Sequence, residues 1–128
     1  MISVLKRFAL ASAALAFAAH AAAADLKLDA YNPGTSAMMP VSSVLVSGEK
    51  DLILVNAQFG KTQAEQLVQK IRSSGKHLTT IYVSDGDPDF YFGLDTLTAA
   101  FPDAKVLATQ PVVDHIKAVS YTHLRAHE

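Results

Sequence analysis

Two short apolar runs, Leu52-Ile53-Leu54-Val55 and Ile81-Tyr82-Val83, flank one amphipathic segment, and this arrangement limits the folds open to the chain. The segment opens with Thr62-Gln63-Ala64-Glu65, the residue types of a capping box, in which a hydroxyl and a carboxylate satisfy free N–H groups at a helix start. Ala64, Leu67, Val68 and Ile71 then recur at i, i+3, i+4 and i+7, which gives one apolar helix face, and Ser73-Ser74-Gly75 supplies the stop. A strand, a helix and a second strand in that order predict a crossover between parallel strands.

The flanking sequence extends the pattern. An extended segment at Leu26–Tyr31 leads to a turn at Asn32-Pro33-Gly34, a loop at Thr35–Pro40 and a strand at Val41–Val46. Gly48-Glu49-Lys50-Asp51 connects that strand to Leu52–Val55 as a hairpin, and the second run, apolar throughout, is expected to be buried on both faces. Downstream, a helix is expected over Asp95–Ala100, closed by Pro102, and a strand over Lys105–Ala108. Pro111 then opens a helix through Val112, Val113 and Ile116. The expectation is α/β: a hairpin followed by strand–helix repeats, with at least the later strands parallel.

Composition removes several functions. Eleven basic against twelve acidic residues leave a net charge of −1, so no overall field favours nucleic acid or an anionic membrane. The absence of cysteine excludes disulfides, thiolate zinc sites and cysteine nucleophiles. The 128 residues allow one domain, and both ends are expected to lie outside it. Met1–Ala24 carries Lys6 and Arg7, an apolar stretch at Phe8–Ala19 and small residues before Asp25, which is the anatomy of a cleavable signal peptide. That stretch falls short of the ~20 residues a membrane span needs. A periplasmic or secreted protein, with no membrane association after cleavage, is therefore expected. Val119–Glu128 resembles one translated frame of the transposase adapter used in sequencing libraries, which confines the expected domain to residues 25–118. His123 and His127, spaced as helical metal ligands are, fall in that tail, and His20 falls in the signal. His77 and His115 remain, read as surface or structural residues.

The chemistry of the sequence concentrates in Ser84-Asp85-Gly86-Asp87-Pro88-Asp89-Phe90-Tyr91-Phe92-Gly93-Leu94, which leaves the carboxyl end of a parallel strand, where ligand sites form in open α/β sheets. This stretch resembles the H-x-H-x-D-H motif of the metallo-β-lactamase superfamily, which follows a strand and is succeeded by an aromatic residue, Gly and Leu. The hairpin, the Leu52–Val55 strand with its helix, and Phe101-Pro102-Asp103-Ala104 before a strand occur in the same order in that family. The resemblance spans about Tyr31 to Ala118. It implies the N-terminal part of an αββα sandwich, a small-molecule substrate and zinc.

Carried over residue by residue, the resemblance places Asp85 and Asp87 at the first two histidines, Asp89 at the family's aspartate and Phe90 at its last histidine. Asn56 stands where the family often has an aspartate in a D-x-G turn. Three carboxylates suit magnesium, calcium or manganese better than zinc, and a phenylalanine ring binds none of them. Asp85, Asp87 and Asp89 are therefore the candidate metal ligands, with Asp89 the candidate catalytic residue. Against them stands a solvated acidic turn that caps the next helix, with no resident metal and no activity in this chain. Two other classes compete. A non-catalytic relative would use the altered pocket to bind a ligand or partner. A haloacid-dehalogenase-like phosphatase would use the first aspartate as nucleophile, but there the motif follows the first strand. A calcium loop of EF-hand type fails on Phe90 and Thr96, which stand where glycine and a bidentate Glu are required.

Overall fold

The apolar runs become the strands of one mixed sheet in a computed structural model that describes residues 25–125. Strand β1 (Lys27–Tyr31) leads through a 3-10 turn at Gly34–Ser36 to β2 (Ser43–Ser47) and β3 (Asp51–Val55). Helix α1 (Lys61–Ser73) crosses to β4 (His77–Val83), helices α2 (Pro88–Tyr91) and α3 (Leu94–Ala100) cross to β5 (Lys105–Ala108), and α4 (Gln110–Arg125) follows. The strands lie in sequence order; β1, β2 and β3 are antiparallel, whereas β3, β4 and β5 are parallel. The change of direction follows from the connections. A short polar turn joins β2 to β3, but each later link contains a helix, which returns the chain to the same end of the sheet.

Burial falls on one side of this sheet. Leu45, Leu54 and Ile81 stand in register across β2, β3 and β4, and with Leu52 and Leu78 they meet Leu67, Ile71 and Leu97 from the helices. All four apolar positions of α1 are buried, as their spacing predicts. Helix α3 packs against α1, Lys70 of α1 pairs with Asp29 of β1 at 2.6 Å, and the Arg72 guanidinium lies 5.9 Å from the centre of the Phe101 ring.

The other side is apolar and open. Leu28, Val46 and Ile53 form one row across β1–β3, and Ala30, Val44, Val55, Tyr82 and Leu107 form a second across all five strands. Leu28, Ile53 and Leu107 are 73%, 38% and 50% exposed. The expectation that β3 is buried on both faces is therefore corrected: its side chains alternate, because α1 and α3 cover one face only. A run of four aliphatic residues is apolar on both faces whether or not both are covered.

Two local expectations also change. Helix α1 starts one residue earlier, with Gly60 at its N-cap and no side-chain capping bond, so Thr62 sits in the first turn and the capping box does not form. Gln63 folds back over Gly60, occupying space that a side chain there would need. Pro88 opens the unanticipated short helix α2, and α4 runs past Ala118 into the expected tail. The expected signal peptide lies outside the described residues, as do the last three residues of the tail. Among the described residues no helix is long and apolar enough to cross a membrane.

Candidate metal centre

The carboxyl ends of β3 and β4 are held together by a loop with unusual backbone geometry. Asn56 and Gln58 both have positive φ, 67° and 71°, a region that side chains other than glycine enter at a cost of roughly 1–3 kcal/mol each. Hydrogen bonds compensate. Asn56 N–H donates to the Tyr82 carbonyl at 2.8 Å, and Asn56 Oδ1 accepts from the Ser84 N–H and hydroxyl at 3.0 and 2.9 Å. Buried Gln58 donates through Nε2 to the Val41 carbonyl and Ser43 Oγ, and Ser43 in turn donates to the Asn56 carbonyl. The residue type expected at an altered D-x-G turn thus holds the first residue after β4 in place. Substitution Asn56→Ala removes both bonds to Ser84 and keeps the left-handed backbone, so a loss of about 2 kcal/mol is expected, read as a lower urea midpoint with unchanged slope.

From Ser84 the chain turns sharply. Asp85 Oδ1 accepts the Asp87 N–H at 3.0 Å in an Asx turn, which brings both carboxylates to one side of Gly86. Pro88 occupies the first turn of α2 and Asp87 its N-cap, yet the Asp87 carboxylate makes no capping bond. It instead lies 3.7 Å from His115 Nε2 on α4. Asp89 sits in the first turn of α2, where a carboxylate favours the positive helix end.

His115 reaches this loop because Gly86 has no side chain. A Cβ at Gly86 would stand 2.6 Å from His115 Cβ, Cγ and Nδ1, so the imidazole rests directly on the glycine backbone. One ligand atom each from Asp85, Asp87 and His115 lies within 4.8 Å of the other two, with Asp85 half-buried and the others exposed. Of the three aspartates read from the sequence, the structure brings Asp85 and Asp87 together, leaves Asp89 out of the cluster and adds His115.

Ligand atoms about 2.1 Å from a shared ion lie roughly 3–4 Å apart, so modest side-chain rotation would close this set around one divalent cation. Two carboxylates and an imidazole fit a single ion of mixed oxygen and nitrogen preference. They do not reproduce the histidine-rich set that the resemblance implies, and Phe90 adds no donor. His115 is separated from Asp87 by an entire helix–strand–helix stretch, so no local spacing reveals it. The pertinent signals are the glycine between the aspartates and Pro111, which fixes where α4 starts.

Known structures confirm the architecture. No family model matches the chain, and no curated protein shows significant sequence similarity to it. Solved structures do match. DIM-1 metallo-β-lactamase superposes with a TM-score of 0.57 and 18% identity, over 74% of this chain and 47% of its own. TMB-1 gives 0.56 and 15% over 74% and 43%, and the metallo-β-lactamase from Hirschia baltica gives 0.52 and 12% over 68% and 39%. The chain therefore has part of the metallo-β-lactamase fold and spans less than half the length of these solved chains.

Proposed function

We propose that the chain is part of an exported, hydrolase-like protein of the metallo-β-lactamase fold, with a divalent cation held at the carboxyl end of β4 and a small-molecule substrate. The observation that carries this reading is the convergence of Asp85, Asp87 and His115 at that sheet end. Export rests on the signal-like composition of Met1–Ala24. Asp85, Asp87 and His115 would hold the cation, which would supply Lewis-acid chemistry to a carbonyl or phosphoryl substrate. In this scheme the chain's own contribution is positioning: Asn56 fixes Ser84, the Asx turn aims Asp85 and Asp87, and Gly86 admits His115.

By itself the 128-residue chain is proposed to bind the ion without turnover. Phe90 stands at the family's last histidine and leaves a second metal position without a nitrogen donor, and this same residue favours a second reading, a non-catalytic relative that binds ligand or partner at the altered pocket. Reporter substrates of the lactam, lactone, thioester and phosphodiester types, assayed with manganese or zinc and again with a chelator, separate the possibilities. No chelator-sensitive hydrolysis by this chain is expected. Turnover lost on chelation and restored by metal would overturn the proposal that the chain alone is inactive.

A further inference from the structure

We propose that His115 completes a three-ligand site with Asp85 and Asp87 for a single divalent transition-metal ion, and that this ion pins α4 to the end of β4. The proposal deepens the cation reading above but does not need catalysis, so it survives a negative result with every reporter substrate. Two features of the geometry converge on it, and a third accounts for the neighbouring carboxylate. The Asp87 carboxylate stands at a helix N-cap without capping, and lies near His115 instead. Gly86 is the residue that lets an imidazole lie on the loop between the two carboxylates. Neighbouring Asp114 is engaged along its own helix by Gln110 Nε2 at 2.8 Å.

The donor set also selects the ion. Two carboxylates alone suit magnesium or calcium, which keep oxygen shells, but an imidazole shifts preference toward first-row transition ions such as manganese and zinc. The expected order is zinc tighter than manganese, with magnesium weakest. Because Asp85 and Asp87 leave β4 and His115 belongs to α4, coordination joins two elements that are distant in sequence. The apolar side chains Val112, Val113 and Ile116 of α4 are only half-buried, so an ion has packing to reinforce there.

Calorimetric titration of the full chain with manganese and zinc tests the site. All variants carry His123→Ala and His127→Ala, which remove the histidine pair at i, i+4 spacing. One ion per chain is expected, with affinity lowered at least about tenfold by Asp85→Asn, Asp87→Asn or His115→Ala. Asp89→Asn and Asp103→Asn, which remove the same charge elsewhere, are expected to change it less than about threefold. Gly86→Ala is expected to weaken binding without replacing a ligand, since its Cβ displaces the His115 imidazole. Unchanged affinity in His115→Ala, or a loss in Asp89→Asn equal to that in Asp85→Asn, would overturn the assignment. Amide exchange around His115 should slow when the ion is added, and binding without such protection would refute the pinning of α4.

Discussion

Substitution of Gly93 by alanine is expected to cost about 3 kcal/mol or more, a large part of the stability of a domain this size. The reason is steric, because Gly93 has an ordinary φ of −75°. A Cβ there would stand 2.1 Å from the Ala57 carbonyl oxygen, 2.9 Å from Ala64 Cβ and 3.1 Å from the Gln58 carbonyl oxygen. Two of these atoms are backbone, and Ala57, Gln58 and Ala64 are fully buried, so no flexible side chain can move aside. The Gly93 N–H also donates to the Gln58 carbonyl at 2.8 Å, and that bond ties α3 to the left-handed loop beside the candidate site. Gly60→Ala is the useful comparison. Its Cβ would meet only the mobile end of Gln63, so a loss of about 1 kcal/mol, of the size of a weakened N-cap, is expected. Chemical denaturation of both variants checks the difference. Equal, small shifts would mean that Gly93 is not wedged against the loop.

The open sheet face leads to the second large effect: the purified chain beginning at Asp25 is expected to self-associate rather than persist as a monomer. Leu28, Ile53 and Leu107 project from a face that also carries Val44, Val46 and Val55, with polar relief from Thr80, the Tyr82 hydroxyl and Lys105 at the β5 edge. Covering a large aliphatic side chain is worth roughly 1.5–3 kcal/mol, and contiguous apolar surface of this kind marks an interface or an aggregation site. Among the described residues, β1 and β5 are also the edge strands of the sheet. Sedimentation analysis in the tens of micromolar should show species larger than a monomer, and Ile53→Thr with Leu107→Thr should shift the distribution toward monomer. A monomer with strong amide protection throughout β3 and β4, before either substitution, would contradict this expectation.

What could be read in the sequence was what depends on neighbouring residues. The periodicity of Ala64, Leu67, Val68 and Ile71 identifies α1, and Lys105–Ala108 is a strand at the predicted bounds. The crossover rule then places the strands in parallel, and the acidic motif at the end of β4 identifies the region of the candidate site. Partnership across the fold was not legible. Leu52–Val55 is equally apolar on both faces, so it does not tell that only one is covered. Thr62 and Glu65 have the spacing of a capping box, but a helix that begins at Lys61 with Gly60 as its N-cap makes that spacing irrelevant. His115 lies in the second turn of a helix whose place over Gly86 is set by two connections and the sheet order, none of which leaves a mark near residue 115. The positive φ angles of Asn56 and Gln58 were equally hidden, since asparagine tolerates that region and glutamine gives no sign of it.

The proposed metal site draws its nitrogen from α4. Pulsed electron paramagnetic resonance of the manganese-loaded chain carrying His123→Ala and His127→Ala reads that nitrogen, because a directly bound imidazole nitrogen modulates the electron spin echo and does so whether or not the chain associates. One bound manganese per chain is expected, with the modulation of a single imidazole, lost in His115→Ala and retained in His77→Ala. Bound manganese with no nitrogen modulation, or with modulation that persists in His115→Ala, would contradict it.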